Sequence, residues 1–433
     1  MRCFVTLWSY QANDDHSEPV LLYMETGIYP HADSCWECFQ PPLFYKFHAT
    51  LARATGSVDA YDVHRQMQCM NLLFSLLWVW VFLSFVRKIP LKTNVAMVTS
   101  CFVLWNPRLA SLSVQATNDS ILILLGAAFT LFAWLWLNRG QHKYAALFIL
   151  SAGVASILKG NGIVLILTAV PILLLAIGMH PGKSILKLSA LLLFVGIGSA
   201  LLGGYYSKYE QFGTPFHINQ EKAEPPPFSQ DQEWFGKRAG IRSIRSGYLT
   251  FPFRALLDTP YQINDEPEFP VHRTNFWTLL YGNFYRVQFH NHPGSWRVLE
   301  ASWSHDLARV IFVLGLFPTL LLIWGFVMSL VQVLRRKEGW REHALHLLLA
   351  GVFLVFVLKY SYDYRDFGNI KPLFLFPAML SYFFLFAKCV DTIAQKRERR
   401  ANWLLIPIAV ISSLFIADHI ALLIQLHEHY FRF

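Results

Sequence analysis

Charge is what this sequence lacks most. Of its 433 residues only 15% are Asp, Glu, Lys or Arg, where a soluble globular domain has about 25%. Negative charges are fewer than positive ones, with 28 Asp and Glu residues and 37 Lys and Arg residues. Hydrophobic residues make up 54% of the chain. The positive mean hydropathy of +0.35 also shows that the chain is predominantly apolar. This composition excludes an ordinary soluble domain and indicates a polytopic membrane protein.

A compact basic domain is also missing. The net charge of +9 would suggest nucleic acid if Lys and Arg were clustered in one soluble domain. They lie instead in short loops between apolar segments, so we expect no nucleic-acid partner. The first fifteen residues have no continuous apolar core of seven or more, which argues against a cleavable signal peptide.

Cysteine is sparse as well. Of the six cysteines, Cys69, Cys101 and Cys389 fall in or beside apolar segments and are expected to be small buried hydrophobes. Cys35 and Cys38 form the one close pair. The pair alone leaves a disulfide, a redox pair and a partial zinc site open, since a structural zinc needs about four ligands.

Long apolar runs fill most of the chain. A membrane-spanning helix needs about 20 mostly apolar residues, and ten segments meet that criterion. We therefore predict an all-α membrane bundle whose spans cover 70–86, 94–112, 119–137, 144–158, 162–179, 184–206, 308–334, 343–360, 370–390 and 403–426.

Lys and Arg mark every second loop between these segments, and short cytoplasmic loops carry the excess of both residues. The opposite loops then face the periplasm or lumen. This divides the chain into an extracytoplasmic loop (1–69), membrane helices (70–206), an aromatic extracytoplasmic cap (207–306) and further membrane helices (307–433). The basic loops contain Arg87, Lys88 and Lys92; Arg139 and Lys143; Lys183 and Lys187; Arg335, Arg336, Lys337 and Arg341; and Lys396, Arg397, Arg399 and Arg400.

An acidic cluster lies in the first extracytoplasmic loop, where Asp14, Asp15, His16 and Glu18 fall within one helical turn. A carboxylate beside a low-dielectric surface, with a second acid nearby, tends to a raised pKa that suits a general base. His16 would orient that carboxylate or shuttle its proton. The alternative is a solvated tail, or an N-cap at Asp14 or Asp15 for a helix through Glu25.

The motifs after this cluster carry a resemblance. In order they are Gln40-Pro41-Pro42-Leu43-Phe44-Tyr45, Asn118-Asp119, Tyr205–Phe216, 274–281 and Lys371–Pro377. Their order and sidedness resemble the GT-C glycosyltransferases, and more narrowly the bacterial branch related to dolichyl-phosphate-mannose–protein mannosyltransferases and the aminoarabinose transferase of lipid A. The resemblance implies a GT-C helical bundle with an extracytoplasmic cap, and inverting transfer of a sugar from a polyprenyl phosphate.

Carried over to this chain, the resemblance puts the catalytic base at Asp14 or Asp15, which the pattern does not separate. Glu18 would be a second acid or a helix cap. The predicted substrate pocket contains Gln40, Pro41, Tyr45, Asn118 and Asp119. Cations at the membrane edge would stabilise the departing phosphate, and Lys159, Lys371 and Arg365 are the candidates. Snorkelling of helix-end Lys and Arg toward headgroups is the structural alternative.

The predicted partners are a polyprenyl-phosphate sugar donor, membrane lipids and an acceptor that is a protein, a lipid or a glycan. Neither ATP nor sugar nucleotides are available outside the cytoplasm in most cells, which favours such a donor. No cofactor is predicted with certainty, and a divalent cation is left open. The expected location is the bacterial inner membrane, with the site facing the periplasm or exterior.

One departure from the family pattern concerns the amino end. Relatives have a spanning helix before the acidic loop, whereas only Met1–Tyr10 precede Asn13 here. We expect either that the chain begins downstream of the true start or that its amino end is translocated unaided.

Two other function classes remain as alternatives. A transporter or flippase would place charged residues at broken helices near the midplane, often in two related halves. This chain has its acids in a loop and shows no such halves. A non-catalytic membrane scaffold is the third hypothesis, and a polar chamber shared by Asp14 or Asp15 and Lys159 would discriminate among the three.

Overall fold

A computed structural model describes most of the chain in separate stretches. These are residues 16–57, 59–113, 115–179, 181–219, 241, 243–258, 262–263, 275–286, 290–291, 302–364, 370–396 and 401–430. Asp14, Asp15 and Arg365 lie outside the described residues.

Ten apolar helices form the membrane part, one in each of the ten segments expected from hydropathy. Seven are long and apolar enough to span: Ala60–Val86, Asp119–Arg139, Gly182–Leu202, Asp306–Leu334, Trp340–Tyr364, Pro372–Lys396 and Trp403–Ala421. Three are shorter: Thr93–Leu104, His142–Leu158 and Gly160–Leu175. Within the described stretches the chain is therefore a multi-pass helical membrane protein.

The expected span 94–112 is not one helix, and this part of the prediction was wrong. The helix Thr93–Leu104 stops, and a second helix, Pro107–Leu112, begins after Asn106. The Asn106 side chain accepts a hydrogen bond from the Leu109 amide at 3.0 Å, and proline suits the first helical position, whose amide would have no partner. A hydropathy profile measures only how apolar the side chains are, so it does not detect a helix start made by a capping asparagine and a proline.

The first extracytoplasmic loop contains two helices, Glu18–Thr26 and Leu43–Thr55. They bury a small apolar cluster of their own, which includes Val20, Phe44 and Ala49 and is closed by Val63 and Met67 from the following helix. That following helix starts at Ala60, ten residues before the predicted apolar segment. The described part of the loop, from Glu18 to Thr55, is therefore folded and packs on the bundle.

The two most enclosed spans are Asp119–Arg139 and Pro372–Lys396, whose most apolar stretches are 72% and 78% buried. They touch where Gly126 faces Pro377, so closely that a Cβ on Gly126 would lie 2.3 Å from the Pro377 carbonyl oxygen. Small residues permit such approaches between membrane helices, where no hydrophobic effect drives association. By contrast, the corresponding stretch of Gly182–Leu202 is only 17% buried and faces outward.

The region predicted to form a cap contributes short elements in its described parts. They are the helices Tyr205–Phe212, Ile244–Tyr248, Phe253–Asp258 and Phe276–Tyr285, and the two-residue strands Gln262–Ile263 and His290–Asn291, which pair in parallel. Tyr285 on one of these helices donates its hydroxyl hydrogen to the Gly315 carbonyl oxygen at 2.7 Å. The Asn106 amide likewise donates to the Phe284 carbonyl oxygen at 3.0 Å. Both bonds attach the helix Phe276–Tyr285 to membrane helices.

Four of the membrane spans belong to helices whose full bounds are Ser302–Leu334, Trp340–Tyr364, Met379–Lys396 and Ala401–Tyr430, and the described bundle also contains two 3-10 segments, Gly160–Gly162 and Pro372–Ala378. The first of these 3-10 segments lies between the fourth and fifth apolar segments. It needs glycine at Gly162, because a Cβ there would lie 2.2 Å from the Ala155 backbone.

We expect Gly126→Ala to destabilise the bundle by about 1–3 kcal/mol, because the added methyl group overpacks the contact with Pro377. Gly196→Ala is the matched control, since nothing lies within 4 Å of a Cβ at that position. In a helix interior the control is expected to gain up to about 1 kcal/mol. Thermal unfolding in detergent measures both, and equal effects of the two variants would contradict the packing described here.

Candidate functional site

Two helix ends meet in a buried group that we call the Asp119 cluster, made of Asn118, Asp119 and Lys159. The Lys159 ammonium donates to Asp119 Oδ1 and to Asn118 Oδ1, both at 2.7 Å. Lys159 is 5% exposed and Asp119 is 6% exposed. Lys159 is therefore ion-paired inside the protein and does not snorkel toward water.

The second oxygen of Asp119 is occupied as well. Thr117 donates its hydroxyl hydrogen to Asp119 Oδ2 at 3.1 Å, and the same hydroxyl accepts from the Asp119 amide at 3.0 Å. Asn71 from the preceding span donates to the Thr117 carbonyl oxygen at 2.6 Å. As the first residue of its helix, Asp119 also lies where the helix dipole favours a negative charge. These contacts occupy both carboxylate oxygens of Asp119 and suit a structural role for it.

Gln40 connects the first loop to this cluster. Its side-chain oxygen accepts from the Gly160 amide at 3.5 Å, and its carbonyl oxygen accepts from the Tyr29 hydroxyl at 3.2 Å. Gly160 directly follows Lys159 at the end of His142–Leu158. Of the residues predicted for the substrate pocket, Gln40, Asn118 and Asp119 are thus gathered around one turn, and the buried Pro41 follows Gln40.

His16 and Tyr45 form the second polar pair of the loop. His16 Nδ1 and the Tyr45 hydroxyl share a hydrogen bond of 2.8 Å, and the two rings stack with centroids 6.0 Å apart. His16 is 3% exposed and Tyr45 is fully buried. The residue that directly follows Asp15 is therefore fixed in place by the start of Leu43–Thr55.

Glu18 is the first residue of the helix Glu18–Thr26, which follows Ser17. The alternative of an N-cap at Asp14 or Asp15 was wrong, because the helix begins several residues later, where Pro19 suits the first turn. Glu18 is in the first turn, where the helix dipole favours an acidic side chain, and the cap position itself is taken by Ser17. The assignment of Glu18 as a second catalytic acid stays a prediction.

Lys371 lies immediately before the 3-10 segment Pro372–Ala378 and is half-buried. That segment packs against Asp119–Arg139 through Pro377 and Gly126. This backbone contact fixes the position of Lys371 relative to the helix Asp119–Arg139, whose first residue belongs to the Asp119 cluster. Its role toward a phosphate stays a prediction, like that of Arg365.

Sequence reasoning missed a further cation, Lys208. It lies on the helix Tyr205–Phe212, is 9% exposed, and has its ammonium 5.6 Å from the centre of the Tyr205 ring. Burial lowers the pKa of Lys208 to about 8. The only signal in the sequence was a lysine among aromatic residues between Gly204 and Gly213, in a region assigned as a whole to the cap.

The Cys35–Cys38 pair is a disulfide, one of the three alternatives that the sequence left open. The surrounding turn is tied to the chain after the helix Tyr205–Phe212. Asn219 donates to the carbonyl oxygens of Ala32 and Cys35 at 2.8 and 2.7 Å, and His217 Nε2 lies 2.8 Å from Asp33 Oδ1. Among the described residues no group of three or more His, Cys, Asp or Glu side chains is arranged to hold a metal ion.

His48 is buried beneath this loop. It is 0% exposed, its Nε2 has no hydrogen-bond partner in the described part of the chain, and its ring meets that of Phe44 at 4.5 Å. Burial, followed by the charge of nearby His16, lowers the pKa of His48 to about 3. The loop therefore holds His48 as a neutral imidazole.

The chain is similar in fold to a solved structure over nearly its whole length. ArnT from Cupriavidus metallidurans bound to undecaprenyl phosphate is similar with a TM-score of 0.52 and 13% identity, over 99% of this chain and 75% of that one. The chain has the GT-C fold. The apo state of the same ArnT is similar with a TM-score of 0.40 and 14% identity, over the same shares. No protein-family model and no curated protein matches the sequence.

A double-mutant cycle tests the energetic coupling between Asp119 and Lys159. Asp119→Asn leaves the Lys159 charge buried without its partner, and Lys159→Met does the same to Asp119. Each is expected to cost about 3–5 kcal/mol. The double variant should cost clearly less than the sum, because it removes both charges. Thermal unfolding in detergent measures the cycle, and additive losses would show that the pair is not coupled.

The GT-C first loop should also lose stability in acid. The folded pKa of His48 lies below its unfolded value near 6.5, so between these values the unfolded chain binds more protons and stability falls as pH falls. At pH 5 the loss is about 2 kcal/mol relative to pH 7.5. His48→Phe keeps the ring contacts and removes the titration. The variant's unfolding temperature should therefore drop less between pH 7.5 and 5 than the parent's, and parallel drops would contradict this assignment.

Proposed function

We propose that this protein is an inverting glycosyltransferase that moves a sugar from a polyprenyl-phosphate donor to an extracytoplasmic acceptor. The GT-C fold over 99% of the chain supports the proposal. Within that fold the carrying observation is the contact of Gln40 with Gly160. It joins the loop that follows the acidic cluster to the turn beside the buried Lys159.

The proposed reaction is a single displacement. Asp14 or Asp15 takes the proton of the acceptor hydroxyl as its oxygen attacks the anomeric carbon. The bond from that carbon to the phosphate oxygen breaks with its electron pair going to the phosphate, and the configuration inverts. His16, fixed against Tyr45, is proposed to orient the base. A positioned general base contributes about 10²–10⁴-fold to such a step.

Cations then stabilise the departing phosphate. Lys159 was the first candidate, but its charge is balanced by Asp119 at 2.7 Å, so the Lys159–Asp119 pair presents no net charge. Lys371 and Arg365 remain proposed phosphate ligands. We propose instead that Lys159 holds the shape of the turn Gly160–Gly162 and donates a hydrogen bond to the sugar donor.

The proposed orientation puts this reaction on the periplasmic or exterior face, in a bacterial inner membrane. One helix supports it: Asp119 is its first residue and Arg139 its last, so about 30 Å of helix separates the Asp119 cluster from a basic loop. That length equals the hydrocarbon core of a bilayer. The donor's polyprenyl tail would lie between the apolar helices, as membrane lipids do, and the acceptor would be a protein, a lipid or a glycan.

The positions of Asp119 and Lys159 argue against the transporter alternative. Transporters place their ionisable groups at broken helices near the bilayer midplane. Here the carboxylate starts one span and the lysine follows the end of the next, so both lie at one edge of the bundle. A site at that edge suits transfer between a lipid-borne donor and an acceptor outside the membrane.

The test is transfer from radiolabelled polyprenyl-phosphate sugars in membranes that contain the parent chain, Asp14→Asn or Asp15→Asn. We expect one of the two variants to lose at least about 10²-fold in rate, with normal amounts of folded protein. Glu25→Gln is the matched control, because Glu25 is an exposed acid of the same loop. Full activity in both aspartate variants would refute the base assignment, and no labelled product from any donor with the parent chain would refute the function.

A further inference from the structure

A basic loop, residues 87–92, lies at the edge of the bundle opposite the Asp119 cluster. Phe85, at the end of the span that leads into this loop, packs edge-to-face on Trp134, with ring centroids 5.8 Å apart. Trp134 follows Asp119 by fifteen residues on one continuous helix, which is about 22 Å along the helix axis. The loop is therefore separated from the Asp119 cluster by most of the thickness of a bilayer's hydrocarbon core.

Two hydrogen bonds attach this loop to the helix Met379–Lys396. The Lys388 ammonium donates to the Pro90 carbonyl oxygen at 3.2 Å. The Lys92 backbone amide donates to Asp391 Oδ1 at 3.0 Å. A lysine of the helix is thus brought up against a loop that is itself basic.

Positive charge gathers at the surface where the loop and the helix meet. The loop contributes Arg87, Lys88 and Lys92, and the helix contributes Lys388. We call these four residues the basic junction. Arg87 and Lys88 are exposed, and the side chains of Lys92 and Lys388 are partly exposed, so the junction presents its cations to a ligand that approaches from outside the protein.

An acidic residue within this contact is turned inward. Asp391 is 2% exposed, and its two oxygens accept from the Lys92 amide and, at 2.6 Å, from the Gln395 side-chain amide. The sequence that follows, 397–400, contains three arginines and one glutamate and so adds positive charge. The partner that such a surface favours is an anion.

Apolar side chains continue from the basic junction into the bilayer region. Trp80 and Leu83 lie seven and four residues before Arg87, so the three share one face of the helical path. They are 68% and 36% exposed, and Met97 on the span after the loop is 63% exposed. A ligand that matches both parts has an anionic headgroup and hydrocarbon chains, which is the chemistry of an acidic phospholipid.

We propose that the basic junction binds the headgroup of an anionic phospholipid whose acyl chains lie along Trp80 and Leu83. Basic sites between membrane helices hold such headgroups at the bilayer surface. The bound lipid would bridge the loop 87–92 and the helix Met379–Lys396, and so stabilise their contact. This inference makes no use of sugar transfer, so its outcome is independent of the proposed function.

The test is thermal unfolding of the purified full chain in micelles of an uncharged detergent, titrated with phosphatidylglycerol. We expect the lipid to raise the unfolding temperature. Lys88→Gln and Lys388→Gln should each weaken the apparent affinity about fivefold, which is what one basic residue contributes beside an anionic lipid surface. Lys388→Arg should stay within about twofold of the parent, because both cations pair with phosphate.

Lys187→Gln is the matched control. Lys187 is an exposed lysine of another basic loop, and its variant changes the net charge by the same amount. It should leave the affinity for phosphatidylglycerol unchanged. If Lys187→Gln weakens binding as much as Lys88→Gln, the lipid responds only to the overall charge and the inference is wrong.

Lys88→Gln also separates binding from folding. The Lys88 side chain is exposed, so this variant should unfold at the temperature of the parent when no lipid is added. Its loss of affinity then reports the headgroup contact. Unchanged affinity in Lys88→Gln would overturn the inference, whatever the stability of Lys388→Gln.

Two further additives identify the ligand chemistry. Phosphatidylcholine, whose headgroup has no net charge, should bind at least tenfold more weakly than phosphatidylglycerol. Inorganic phosphate should give no stabilisation at the same concentration, because it has no chains to place along Trp80 and Leu83. Stabilisation by either additive equal to that by phosphatidylglycerol would contradict the assignment to an anionic phospholipid.

Discussion

The ion pair between Asp119 and Lys159 is the constraint on which the candidate site depends. It joins the start of one membrane helix to the end of the next, 40 residues along the chain, at an edge of the bundle where neither charge reaches water. Breaking either half would leave the other buried and uncompensated. The turn after Lys159 then supplies the Gly160 amide that contacts Gln40 and a carbonyl oxygen 3.5 Å from the Tyr205 hydroxyl. The first loop and the helix Tyr205–Phe212 therefore both contact the turn that this ion pair holds.

The first loop shows how a site can be built on a loop and still be rigid. The Cys35–Cys38 disulfide closes its turn, and Asn219 fixes that turn from the far side through two carbonyl oxygens. Beneath it, His16 is held by Tyr45. Catalytic groups must be held close to their productive geometry, and these bonds supply that order where regular secondary structure is short. The cost is a buried neutral histidine, His48, which makes the loop sensitive to acid.

Much of the fold could be predicted from sequence because hydropathy reports directly on membrane helices. All ten apolar segments contain a helix, and Asp119 was correctly expected to open one. The break at Asn106 was missed because its signal is a cap and a proline rather than a loss of hydropathy. The sequence also could not show which lysine pairs with a carboxylate. Lys159 and Lys208 are both lysines near glycine turns, and only the folded structure shows that, among the described residues, Lys159 pairs with a carboxylate and Lys208 lies against the Tyr205 ring.

Unequal burial among the spans has a consequence for how the molecule can move. Asp119–Arg139 and the Pro372–Lys396 region approach each other closely at Gly126 and Pro377, and both are mostly covered by protein. Gly182–Leu202 has little of its surface covered by protein, and elements with few internal contacts open at the lowest free energy. Most of the surface of this span is therefore left for contact with lipid. Bilayer composition and thickness therefore act directly on the short helix that follows it and carries Lys208.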